Sequence, residues 1–124
     1  MLIEGFYNIE ELSTIEDGIN ATIKLNPDHN VYSGHFPNQP VVPGVIQLQI
    51  IKEIIEGSRG IKLFMGNISQ VKYLVPITPK ENSSLSFVIT IKSKEDNKIS
   101  TNTILKYQDI ILSKIKVTFD VIEN

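Results

Sequence analysis

The stretch from Pro43 to Glu56 constrains the fold of this chain more than any other. Pro43 supplies the fixed φ of a first helical position and Gly57 the residue that commonly follows a helix end, so the spacing predicts a helix over Pro43–Glu56. At about 100° per residue, Gln49, Lys52, Glu53 and Glu56 share one narrow stripe. Ile46, Leu48, Ile50, Ile51, Ile54 and Ile55 cover the much wider remaining arc. A helix this apolar has to be wrapped by other structure over most of its circumference. One short helix cannot provide that wrapping, so a sheet must curl around it.

The remaining segments read as that sheet. Over residues 18–26, Ile19, Ala21, Ile23 and Leu25 alternate with Asn20, Thr22 and Lys24, the period of a half-buried strand. Residues 5–15 form a weaker strand candidate. Residues 26–42 hold three prolines, one glycine and three asparagines, which predicts a structured loop. Four long strands are predicted over 61–75, 84–93, 99–108 and 110–122. Turns at Glu95-Asp96-Asn97 and Gln108-Asp109 join the last three. In the final segment Ile111, Ser113, Ile115, Val117, Phe119 and Val121 are predicted to share one face. Two strands, a helix and four antiparallel strands make an α+β layout with one helix against one sheet.

Composition narrows the chemistry. At 124 residues, with no linker, repeat or low-complexity stretch, one domain spanning residues 1–124 is expected. The net charge of −2 provides no general attraction to nucleic acid or to an anionic membrane. The absence of cysteine removes disulfides, thiolate metal sites and a Cys nucleophile. Two histidines make a His-based metal site a poor expectation, and no cofactor is implied. The start MLIEGFYNIEELS is acidic and broken by Gly5, unlike a secretory signal, and no apolar run approaches the roughly 18–20 residues of a membrane span. The expectation is a soluble cytoplasmic protein.

The segment GHFPNQPVVPGVIQLQ, Gly34 to Gln49, resembles the signature of the 3-hydroxyacyl-ACP dehydratases of fatty acid synthesis. Gly34, His35, Phe36, Pro37, Pro40, Pro43, Gly44 and Val45 all match it. LNPDHNVYSG before it and VKYLVPITPKENSSL further on agree as well, so the likeness spans most of the chain. The resemblance implies the family's hot-dog fold, a six-stranded antiparallel sheet wrapped around one central helix. It also implies a homodimer, or a higher assembly of dimers, with each active site at the subunit boundary. His35 would come from one subunit and residue 49, fourteen positions later, from the other. The family carries Glu or Asp there; this chain carries Gln49.

Dehydration of a 3-hydroxyacyl thioester needs a base for the α-proton, a donor for the thioester oxygen and an acid for the departing hydroxyl. His35 suits the first task, since imidazole titrates near pH ~6.5. Backbone N–H groups around Gly44 suit the second, being unsatisfied and backed by the helix dipole, and Gly44 has no side chain to hold a thioester away. Phe36, Val45 and Tyr73 are candidates to line an acyl tunnel. Gln49 cannot supply the acid, so His35 would carry the proton itself, in a slower or narrower enzyme. The acyl chain would arrive on an acyl carrier protein in preference to CoA, with Lys52, Lys62 and Lys72 as candidate contacts for that acidic partner.

Blander readings apply beside these. His29, between Asp28 and Asn30, reads as solvated, and scattered lysines usually form an ordinary wet surface. Gln49 falls on the polar stripe, where an exposed glutamine needs no explanation. Gln47 lies inside the apolar arc and demands a buried partner. The main alternative function is a non-catalytic hot-dog subunit that binds acyl-ACP and pairs with an active dehydratase. Thioester hydrolysis is disfavoured, because position 49 lacks a water-activating carboxylate. The His35–Phe36 peptide is expected to be cis, as in related enzymes.

Overall fold

The computed structural model describes residues 4–34 and 41–123. The elements run β1 (Tyr7–Ile15), β2 (Gly18–Leu25), a short 3-10 turn over Asn30–Gly34, α1 (Gly44–Arg59), β3 (Lys62–Tyr73), β4 (Ser84–Glu95), β5 (Lys98–Tyr107) and β6 (Ile110–Glu123). Among the described residues the strands form one six-stranded sheet in the order β1-β2-β4-β5-β6-β3, and every neighbouring pair is antiparallel. This is the hot-dog layout.

The alternations sort side chains as the period of two requires. Ile19, Ala21, Ile23 and Leu25 of β2 and Leu85, Phe87, Ile89 and Ile91 of β4 all face the core. From α1, Ile46, Leu48, Ile50, Ile51, Ile54 and Ile55 are buried against them. Full burial of an isoleucine contributes about 1.5–3 kcal/mol, so this face alone fixes the helix to the sheet. The polar stripe of Gln49, Lys52, Glu53 and Glu56 stays partly exposed. Lys52 pairs with Glu56 at 3.8 Å, and Glu56 accepts the backbone N–H of Leu63 at 2.9 Å, tying the last turns of α1 to β3.

The helix ends differ from expectation. Pro43 is the residue before the first turn, with extended ψ of 146°, and the helix runs through Gly57 to Arg59. Gly60, at φ 66°, terminates it in the left-handed conformation, its N–H bonding the Glu56 carbonyl. An αL glycine at this place is a common stop, whereas an exposed glycine inside a helix is tolerated at modest cost. Two glycines three residues apart offered two possible stops, and the second is the one used.

In β6 the buried face includes Leu112 next to Ser113. The register moves from Leu105↔Ser113 to Lys106↔Ile111, leaving Leu112 as the extra residue of a bulge. The bulged carbonyl accepts the N–H groups of Leu74 and Val75 at 2.8 and 3.1 Å, which ties the residues just after β3 to β6.

Candidate active site at the helix start

The start of α1 is anchored from both sides. Val42 donates its N–H to the Ile77 carbonyl at 2.9 Å. Gln47, 5% exposed, accepts a hydrogen bond from the Ser113 hydroxyl at 2.8 Å, so the polar residue in the apolar arc has the buried partner it needed. The Pro43 carbonyl accepts the N–H groups of Ile46 and Gln47 at 3.1 and 3.2 Å. The N–H groups of Gly44 and Val45 stay outside the helical ladder, with no side-chain cap and no acidic residue in the first turn. Both therefore contribute to the positive end of the helix dipole.

Tyr73, at the end of β3, is brought against this turn. A Cβ added to Gly44 would fall within 2.5 Å of Tyr73 Cζ and 2.8 Å of its Cε2. The space where a Gly44 side chain would sit is thus filled by the phenol ring, so the missing side chain makes room for Tyr73 and not, as expected, for an approaching thioester. Burial pushes the Tyr73 hydroxyl above its ordinary pKa, so it stays protonated near neutral pH. Val45, 72% exposed, stands on the open side of the same turn.

One turn further along, Gln49 lies on the row that runs from Val45 to Glu53 at i, i+4 spacing. Its Nε2 donates to Glu53 Oε2 at 2.9 Å, and Glu53 Oε1 accepts from the Tyr7 hydroxyl at 2.8 Å. Tyr7 is buried at the start of β1, and its pKa is pushed well up, first by burial and then by the hydrogen bond and the negative charge of Glu53. Of the sequence-predicted residues the structure packs Tyr73 on Gly44 and sets Val45 and Gln49 on one row of α1, with Gln49 bonded to Glu53. His35, Phe36 and the peptide between them lie outside the described residues.

His29 is not simply solvated. Its Nδ1 accepts the Val31 N–H at 3.0 Å, which leaves Nε2 to donate to the Glu4 carbonyl at 2.7 Å, and its ring meets Phe6 edge-on at 5.3 Å. It fastens the N-terminal segment to the loop. Among the described residues no cluster of His, Cys, Asp or Glu is arranged to hold a metal ion, and no helix is long and apolar enough to cross a membrane.

A single helix wrapped by one six-stranded antiparallel sheet defines the chain, among its described residues, as a hot-dog protein. Residues 11–114 match the ApeI-like family, described as ApeI dehydratase, and the chain belongs to that family. It is 31% identical over 110 residues to the 3-hydroxyacyl-[acyl-carrier-protein] dehydratase FabZ of Lactococcus lactis subsp. lactis (strain IL1403), covering 82% of this chain and 68% of that protein. It is 27% identical over 94 residues to the FabZ of Clostridium botulinum (strain Okra / Type B1), covering 68% of this chain and 65% of that protein. Its fold matches a chain of the dehydratase heterocomplex ApeI:P from Xenorhabdus doucetiae with a TM-score of 0.69 at 19% identity, over 91% of this chain and 96% of that one.

Proposed function

We propose that this protein is a hydro-lyase that removes water from a 3-hydroxyacyl group carried on acyl carrier protein, giving the 2-enoyl thioester in fatty acid synthesis or a specialised lipid or polyene pathway. The observation that carries this reading is the start of α1, where two backbone N–H groups outside the helical ladder stand one turn before Gln49 in a chain of the ApeI-like dehydratase family. The thioester oxygen takes the Gly44 and Val45 N–H groups, which stabilise the negative charge that develops when the α-proton leaves. His35 takes that proton. Gln49, contributed across a subunit boundary, meets the 3-hydroxyl, and Phe36, Val45 and Tyr73 line the path of the acyl chain. The C3–O bond breaks, its electron pair leaves with oxygen, and His35 returns the proton to form water. This makes the working unit a homodimer or an assembly of dimers, with no cofactor.

The test is enoyl formation from 3-hydroxybutyryl-ACP, followed by absorbance. The wild-type protein is expected to convert it and His35→Ala to lose activity by at least about 10²-fold, the lower end of what general acid–base assistance contributes. A second reading is favoured by Gln49 and by the likeness to a chain of a heterocomplex. In it the chain is a non-catalytic subunit that binds acyl-ACP beside an active hot-dog partner. An inactive wild type that raises the rate of such a partner selects that reading.

A further inference from the structure

Glu53 is unused by the chemistry above, yet it is bonded directly to a residue of the proposed site. A Gln–Glu pair at i, i+4 on an exposed helix face is usually a surface detail contributing about 0.2–0.5 kcal/mol. This pair differs because a second element grips the same carboxylate. Tyr7, 46 residues away in sequence and 5% exposed, donates its hydroxyl to Oε1 while the Gln49 amide donates to Oε2. Each of the two carboxyl oxygens thus accepts one of these hydrogen bonds.

We propose that Glu53 is a positioning residue for the dehydration, a role that rests on the dehydratase reading. Steadied by Tyr7, it holds the Gln49 amide with nitrogen turned toward Glu53, one turn nearer the helix C-terminus, and Oε1 turned away from Glu53. The direction matters because the site lacks a carboxylic acid at position 49. With Oε1 presented, the substrate's 3-hydroxyl donates its hydrogen to Gln49 and leaves an oxygen lone pair open. The proton that His35 lifts from C2 goes to that lone pair as the C3–O bond breaks and the C2–C3 double bond forms. Water leaves and His35 is neutral again. With the amide flipped, the N–H2 group would donate to the hydroxyl oxygen and compete for the same lone pair.

The experiment compares wild type, Glu53→Gln, Tyr7→Phe and the exchanged pair Gln49→Glu/Glu53→Gln with 3-hydroxybutyryl-ACP. It reads kcat and KM separately, together with melting temperature and the NMR signals of the Gln49 side-chain amide. Glu53→Gln is expected to lower kcat by at least about tenfold with KM within about twofold, because a misplaced group can cost up to about 10²-fold in rate. It should also move the Gln49 amide signals. Tyr7→Phe should move the same signals with a smaller loss of kcat. The exchanged pair adds an acid at position 49 and should be active whatever Glu53 does; what a role limited to folding would not produce is a lower kcat in Glu53→Gln at an unchanged melting temperature. Should Glu53→Gln fail to fold, Glu53→Asp keeps the charge but shortens the reach, and it is expected to show the same kcat loss. An active wild type whose kcat is unchanged by these Glu53 variants, or unmoved Gln49 signals, overturns the role of Glu53 alone. An inactive wild type overturns the dehydratase reading and the positioning role with it.

Discussion

In the proposed site, a single atom at position 49 separates an amide from an acid. Replacing the Gln49 N–H2 with oxygen, as in Gln49→Glu, barely changes shape but sets a second carboxyl against Glu53, where a hydrogen bond of 2.9 Å now runs. Two carboxyls that close cannot both ionise readily, so one stays protonated and becomes the missing acid. Dehydration of 3-hydroxybutyryl-ACP by Gln49→Glu should rise by at least about tenfold, within the range of general acid catalysis; an unchanged rate would leave His35 working alone. In the core, two threonines of β5 make a contrasting pair. Thr101 donates its hydroxyl to the Val117 carbonyl at 2.8 Å, while the buried Thr103 hydroxyl has no partner among the described residues. Thr103→Val should therefore stabilise by up to about 1 kcal/mol and Thr101→Val destabilise by about 1 kcal/mol, read as opposite shifts in melting temperature. Spacing and resemblance singled out Gln49, Gly44 and Tyr73 as candidates, and the structure adds that Tyr73 packs on Gly44. It could not show Tyr7 bonding Glu53 or Glu4 bonding His29, since each contact depends on how distant segments come together. Gln47 lies between these cases: its need for a partner was readable, but Ser113 became that partner only through the register of β6.

The elements were legible to within a few residues because their periodicities are strong, and the misses fall where two local signals compete. In β6 a strict alternation places Leu112 outward, and only the bulge opposite Leu105 and Lys106 turns it inward. At the helix end, Gly57 and Gly60 carry the same residue type with opposite consequences. Gly57 sits inside the last turns of α1 with open space where a Cβ would go, whereas Gly60 has φ 66°. Gly57→Ala should stabilise by about 0.5–1 kcal/mol, because alanine removes backbone freedom from the unfolded chain and suits a helix. Gly60→Ala should destabilise by about 1 kcal/mol, the cost of forcing an L side chain into the left-handed region. Thermal unfolding should show shifts of opposite sign. A destabilising Gly57→Ala beside a neutral Gly60→Ala would mean that the helix stops at Gly57 in solution.

For the whole molecule, the open question is what lies against the two edges of the sheet. β1 and β3 are the outermost strands of the described sheet, and an unpaired edge is a ready template for another strand. Both carry exposed apolar side chains: Ile9, Leu12 and Ile15 on β1, and Phe64 and Ile68 on β3 at 62% and 44% exposure. Three features favour β3 as the edge that joins two copies. Its residues from Lys62 to Tyr73 include no acid, whereas β1 carries Glu10 and Glu11. Its last residue, Tyr73, packs on Gly44, so the edge is continuous with the proposed site. Exposed Leu74 and Val75 extend the apolar surface toward Val45. A second copy paired there would place its own loop beside this helix start, the geometry a site shared between subunits requires. Phe64→Asp/Ile68→Asp should reduce the particle measured by light scattering at micromolar concentration from two chains to one, and dehydration should fall with it. Leu12→Asp on β1 should leave mass and rate unchanged. If Leu12→Asp splits the particle instead while the β3 variant stays paired, the copies meet through β1, and no site is shared across the β3 edge.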